Sequence, residues 1–413
     1  MICEYEDFPT AKYDIQCGET GMDEHHVKIN AEDEIESLRN DLKESLRQQG
    51  FIVNGDDKLA LTTKTKEEMR NIQIAAKEGI TKEHKDFITR KAKLAKQYSL
   101  NGNDIDPERI RLEIRLVQPG SQDELLFRWW NLTWWSMPYQ RPYGRQIRFI
   151  IWDIVHNAPF GLISLQSPIL KQAVRDKSLE IPNETLDYWV NRSMYAQRVG
   201  ALPPYNELIG GKMVALSLIS NEIRTAYHEK YYKRKTIMAE RNIEPELLFI
   251  TTTSAFGKSS IYNRLKYNQD IVAEKLGYTE GYGSFQIPDE LYERLLVYLT
   301  DIGENAERGY GNGPSRKLKL INLACRKLGL ANYSYHGIKR EYYLFSFVQN
   351  LKQVISNQEQ SIWKNYAFDD LFAYWKERWL VNRTKNTTKW REFSTEVFIN
   401  DILNTLKEDN DNE

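Results

Sequence analysis

Residues 206–223 read NELIGGKMVALSLISNEI, and two adjacent glycines, Gly210 and Gly211, stand where a strand-like run gives way to a helix-like one. Residues without a side chain serve a tight turn, or they let backbone amides approach a ligand phosphate at a helix N-terminus. Lys212 follows directly and would add a positive charge. A second chemistry-bearing stretch is YWKERWLVNRTKNTTKWREF, which interleaves Trp375, Trp379 and Trp390 with Lys376, Arg378, Arg383, Lys385, Lys389 and Arg391. Upstream of it, Arg316, Lys317 and Lys319 follow Pro314, and Arg326 and Lys327 come two to three helical turns later. Cations that neutralise phosphate, beside aromatic rings that stack on bases, are what sequence-tolerant nucleic-acid binding requires. These residues are the candidate nucleic-acid contacts.

Other arrangements lead nowhere. TTTSAFGKSS ends in Gly257-Lys258-Ser259 like the tail of a phosphate-binding loop, but position 252 holds threonine where that loop requires glycine. Asp153, Asp187 and Glu222 are carboxylates without the clustering that a metal-dependent nuclease needs. Ser164 lacks the glycine-flanked elbow of a serine hydrolase. The Trp pairs at 129–130 and 134–135 read as packing residues. Three cysteines, widely spaced, make no disulfide framework, and the six histidines lack zinc-ligand spacing. A reducing cytoplasm is expected, with no membrane span and no cleavable signal in the acidic start MICEYEDFPT.

The net charge of −1 conceals an asymmetry. Residues 1–30 hold seven acidic against two basic residues, whereas residues 308–391 hold sixteen basic against five acidic. The second block calls for an anionic partner.

The elements that must position these groups fall into four regions. Residues 1–30 are expected to form an extended acidic arm, and 31–100 a charged helical region with helices from 31 and near 66–97. Residues 109–287 alternate strand and helix patterns. RIRLEIRLV is a strand, a Trp-rich amphipathic segment follows, and RQIRFIIWDIV and FGLISLQS form a hairpin. A helical insertion covers 168–195. YAQRVGALPPY is then a strand, and residues 212–232 form a helix that aligns Met213, Leu216, Ile219, Ile223 and Tyr227. ELLFITTT is a strand, 259–278 a helix, and GYGSFQIP a last strand; 288–413 is a basic, largely helical region. The class is α+β, with a central mixed sheet, flanking helices and helical terminal regions.

This order of elements, the glycine turn and the sequence AEKLGY at 273–278 resemble the GNAT acyltransferases. That resemblance implies a coenzyme A derivative held at Gly210, Gly211 and Lys212, and acyl transfer. The chain departs from the pattern at Glu207, a carboxylate beside the implied phosphate, and at Ala273, where many members carry a tyrosine acid. A longer resemblance runs through DYWVNRSMYAQRVGALPPYNELIGGKMVALSLISNEI, LLFITTTSAFGKSSIYNRLKY, LGYTEGYGSFQIPDELY and GYGNGPSRKLKLI. It is to the family of DruA, a component of the Druantia anti-phage defence systems. It implies a bacterial cytoplasmic protein acting with other Druantia components, including a large helicase-like subunit. It carries no catalytic residues. A non-catalytic assembly subunit is the third function these features fit.

Overall fold

A computed structural model describes residues 24–48, 51–53, 59–61, 65–135, 137, 139–236, 240–242, 244–255, 257–280, 287–306, 314–330, 339–357 and 359–407. Seven strands form one mixed sheet: β1 (Leu112–Leu116), β2 (Gln146–Asp153), β3 (Ala158–Gln166), β4 (Ser193–Ala201), β5 (Phe249–Thr253), β6 (Glu274–Tyr278) and β7 (Glu341–Ser346). Their spatial order is β6-β7-β5-β4-β3-β2-β1. β1 to β4 pair antiparallel in sequence, β4 and β5 pair parallel, and β7 lies antiparallel between β5 and β6. The class is α+β, as the patterning predicts.

The β2–β3 hairpin shows why these residues fold as they do. β3 is buried along its whole length, so its sequence is a nearly continuous apolar run rather than an alternating one. Asn157 takes the left-handed conformation in the turn, at φ 52°. The Asp153 carboxylate organises that turn. It accepts from the backbone N–H of Val155 at 3.2 Å and of Arg111 at 3.3 Å, and from the Tyr205 hydroxyl at 2.9 Å. The His156 ring lies 2.6 Å from its second oxygen. A buried carboxylate with that many partners is structural.

The β4–β5 pairing is short. It runs from Ser193↔Phe249 to Tyr195↔Thr251, and β4 continues to Ala201 without β5 beside it. The Thr252 hydroxyl bonds the Ala196 carbonyl at 2.8 Å just past the last backbone pair.

One face of the sheet packs on the helix Gly210–Leu216, where Met213, Leu216, Ile219, Ile223 and Tyr227 are all buried as their spacing predicts. The expected single helix over 212–232 is two, because Ser220 is extended and its hydroxyl accepts from the Ile223 N–H at 3.5 Å, starting the helix Asn221–Tyr231. The other face packs on the helices Lys85–Gln97, Gln122–Thr133 and Thr395–Thr405. Trp129 and Trp130 are buried there, and the Trp129 indole donates to the Ile88 carbonyl at 3.1 Å. A separate core joins the helices Glu24–Gln48, Asp289–Asp301 and Pro314–Lys327 through Leu42, Leu295 and Ile321.

Four expectations need correction or limit. Residues 259–278 are not a helix but a turn, a small hairpin (Lys266–Tyr267 with Asp270–Ile271) and β6, so AEKLGY belongs to a strand. Of the expected strand GYGSFQIP at 281–288, residues 281–286 lie outside the described residues, and Ile287 and Pro288 are not in a strand. Of the expected acidic arm only 24–30 are described, and they begin a helix. The largely helical C-terminal region also supplies β7, an interior strand of the sheet. Among the described residues no helix is long and apolar enough to cross a membrane.

Candidate functional site

The glycine pair opens the helix after β4. Ile209 precedes it in a left-handed conformation, φ 59°, and neither glycine has a positive φ. Gly210 is required by space. A Cβ there would sit 2.6 Å from the Tyr205 carbonyl oxygen, 2.8 Å from Ala201 Cβ and 2.9 Å from the Phe160 ring. A Cβ at Gly211 would meet only the Ile261 side chain, at 3.2 Å. Gly210 therefore lets the helix seat against β3 and β4.

A strap from the C-terminal region closes over this turn. The Trp375 indole N–H donates to the Ile209 carbonyl at 3.1 Å, and its ring meets Phe160 edge-on at 5.5 Å. The Lys212 ammonium donates to the Ile261 carbonyl at 3.2 Å and lies 5.6 Å from the Trp379 ring. Desolvation first, and the neighbouring Arg378 second, hold the Lys212 ammonium below its ordinary value. Glu207, the carboxylate out of place beside a phosphate, finds its role here. Its backbone carbonyl accepts from Arg383 Nε at 2.7 Å, and its carboxylate faces Arg383 at 3.5 Å and Lys389 at 3.9 Å.

The strap is fastened elsewhere too. Both Glu222 oxygens accept from the Phe368 N–H at 3.1 Å, capping the helix Phe368–Trp375 from a distant segment. Asn221 bonds Asn365 at 2.6 Å, and Lys376 reaches the Ile110 carbonyl at 3.4 Å. Beside the strap runs a line of half-buried rings. Trp379 meets Tyr374 at 5.6 Å, Tyr374 meets Tyr267 at 5.1 Å, and Tyr267 meets Tyr366 at 5.0 Å, all near edge-on. The Arg378 guanidinium lies 5.5 Å from Trp379 and 5.8 Å from Tyr374.

The structure thus divides the cations named from sequence. Trp379, Arg383 and Lys385 belong to the strap, whereas Arg316, Lys317, Lys319, Arg326 and Lys327 lie on a helix of the separate three-helix core. Lys317 pairs with Asp289 at 3.3 Å and Lys327 with Glu304 at 2.7 Å. Lys319, Arg326 and Lys385 are exposed, and Arg316 is half-buried. The other candidate carboxylates are occupied as well, Asp187 by Arg241 at 2.6 Å. No group of three or more His, Cys, Asp or Glu among the described residues is placed to hold a metal.

One site escaped sequence reading. Glu341, at the start of β7, is buried and accepts from Lys275 at 2.8 Å, Tyr343 at 2.5 Å and the Ser259 N–H at 3.0 Å. Burial raises its carboxyl, but these three hydrogen bonds outweigh that effect and hold it below the ordinary value of 4.5. The Gly257-Lys258-Ser259 loop thus turns an amide toward the protein's own carboxylate.

A mixed sheet carrying a glycine-opened helix under an aromatic and basic strap defines an α+β protein with an aromatic–cation surface. The family model for Druantia protein DruA matches residues 63–357. The chain is 31% identical over 360 residues to Druantia protein DruA of Escherichia coli (strain UMEA 4076-1), covering 86% of this chain and 89% of that protein. The chain belongs to the DruA family. No solved structure matches it.

Proposed function

We propose that this protein is a component of a Druantia-type antiviral defence system that binds nucleic acid through its C-terminal strap and works with other Druantia components, among them a helicase-like subunit. Family membership supports the defence role. The observation that carries the nucleic-acid role is the half-exposed line Trp379–Tyr374–Tyr267–Tyr366 with Arg378 beside it. Rings of that kind accept unpaired bases of any sequence, and the exposed Arg378 and Lys385 of the strap supply charge for phosphates. Fluorescence anisotropy with labelled single- and double-stranded DNA, from low to moderate salt, tests it. Trp379→Ala should weaken single-stranded binding by about 1–3 kcal/mol and duplex binding less. Arg378→Ala with Lys385→Ala should lower the salt slope by roughly 0.7–0.9 for each lost phosphate contact. Wild-type protein without measurable binding at low salt refutes the reading.

A second reading, an acyl-CoA-dependent transferase of GNAT type, is favoured by one observation. The parallel β4–β5 backbone pairing stops at Tyr195↔Thr251 while β4 runs on to Ala201, the strand that leads into the glycine turn. Isothermal titration with acetyl-CoA tests it, and absence of heat at millimolar ligand removes it.

A further inference from the structure

The helix Asn221–Tyr231 holds the strap at its first residues and presents a different surface at its last. Residues 228–242 carry Lys230, Lys233, Arg234, Lys235 and Arg241 against Glu229 and Glu240. Arg241 is taken up by Asp187. Lys230, Lys233, Arg234 and Lys235 are exposed, and none forms an ion pair among the described residues. Desolvation first, then the Arg148 and Arg234 guanidiniums, hold the Lys230 ammonium below its ordinary value. Four exposed cations in six residues, none of them engaged by the nearby Glu229, Glu240 or Glu244, fit an anion supplied from outside.

The backbone agrees. Lys233 occupies the left-handed position, φ 57°, just past the helix end, where glycine is the usual residue and a side chain is strained. Thr236 and Arg241 close the hairpin through backbone and side-chain bonds of 2.9 and 3.1 Å. An open pocket of about 400 Å³ lies at its base, lined by Tyr232, Lys233, Arg234, Asn242, Glu244 and Pro245. Tyr232 lines that pocket and is 54% exposed, too open for a core tyrosine, with the Lys233 ammonium 5.1 Å and the His228 ring 5.4 Å from its own ring.

We infer that residues 230–236, at the end of this helix, are a second nucleic-acid contact, in which a single strand places a base on Tyr232 and its flanking phosphates on Lys230, Lys233 and Arg234. An exposed ring favours unpaired bases over duplex, because a stacked base pair offers no free face. The inference rests on the preceding reading for the class of partner, but it uses different residues. The helix between the two surfaces has 11 residues, a rise of about 16 Å, so one strand reaching both would bind bivalently.

The test uses the full chain and a labelled oligodeoxythymidylate. Lys230→Ala/Lys233→Ala/Arg234→Ala should lower the salt slope by roughly 2 units, at about 0.7 per phosphate on a single strand. Tyr232→Ala should weaken binding about tenfold with the slope nearly unchanged. All four side chains are exposed, so circular dichroism melts should match wild type. Photocrosslinking with a 4-thiothymidine oligonucleotide should mark the peptide that contains Tyr232. Variants of this segment that bind like wild type, while Trp379→Ala weakens binding, overturn this inference and leave the strap reading standing. The reverse pattern supports the segment and removes the strap. If wild type binds no oligonucleotide at low salt, both fall, and the basic segment becomes a docking surface for an acidic protein.

Discussion

Alanine at Gly210 and alanine at Gly211 are the same chemical change on neighbouring residues of one helix, yet they should move stability in different directions. Both residues have φ values that alanine adopts freely, so backbone strain is the same for the two. Helix propensity favours each alanine by up to about 1 kcal/mol. The difference lies in what the new methyl meets. At Gly210 it would press on the Tyr205 carbonyl oxygen at 2.6 Å and on Ala201 Cβ at 2.8 Å, atoms that move only if strand and turn move. Overpacking of that kind costs about 1–3 kcal/mol, so the net change is destabilising. At Gly211 the nearest atom is the terminal methyl of Ile261 at 3.2 Å, which can rotate away. That variant should unfold at the same urea concentration as wild type or slightly higher. Urea titration followed by tryptophan fluorescence measures both midpoints. Two variants that fall together by more than about 1 kcal/mol would show that the pair is needed for something other than space. A Gly210→Ala protein as stable as wild type would refute the packing account directly.

Two further outcomes follow from the strap and from Glu341. Trp375→Phe removes the donor to the Ile209 carbonyl and leaves a gap beside Phe160, which should cost about 1–3 kcal/mol in the same assay; a loss below about 0.5 kcal/mol would mean that the strap is not held there. The Glu341 carboxyl titrates below its ordinary value in the folded protein, so its stabilising contribution is present above pH 4.5 and is lost as pH falls through the folded value. Urea midpoints measured between about pH 6 and pH 3 should therefore fall more steeply for wild type than for Glu341→Gln, and parallel curves would exclude the carboxylate as the source.

Local signals carried the sheet's antiparallel half. Charged–apolar alternation marked β1, and turn residues between two apolar runs marked the β2–β3 hairpin. The apolar spacing from Met213 to Tyr227 named a buried face correctly although Ser220 breaks the helix in two. The segment 259–278 misled because Tyr262, Leu265, Val272 and Ala273 recur at intervals a helix would also give. The turn that contradicts it rests on Asn268 at φ 52° followed by glutamine, a weaker hairpin signal than Asn-Gly. β7 reads EYYLFS, rich in aromatics but buried on both sides, so no alternation announces it. Its aromatic run was a usable clue; its place between β5 and β6 was not, because nothing local encodes a partner so far away. The strap's aromatic and basic residues were visible as a group, whereas their attachment to Glu207 and Ile209 depends on the fold.

The position of β7 has a consequence for how the chain acquires its structure. The helices Asp289–Asp301 and Pro314–Lys327 are made in the interval between β6 and β7, so the strand that joins β5 to β6 is translated after both. Until Glu341–Ser346 arrives, β5 ends the sheet with a row of unsatisfied amides and carbonyls, the kind of border that recruits other chains. Closing such a long interval is an entropic barrier that only the final pairing repays. During synthesis the nascent protein therefore passes through a stage in which its four-strand meander and parallel partner are ready and one border is still open, and release from that stage waits on the six residues Glu341–Ser346.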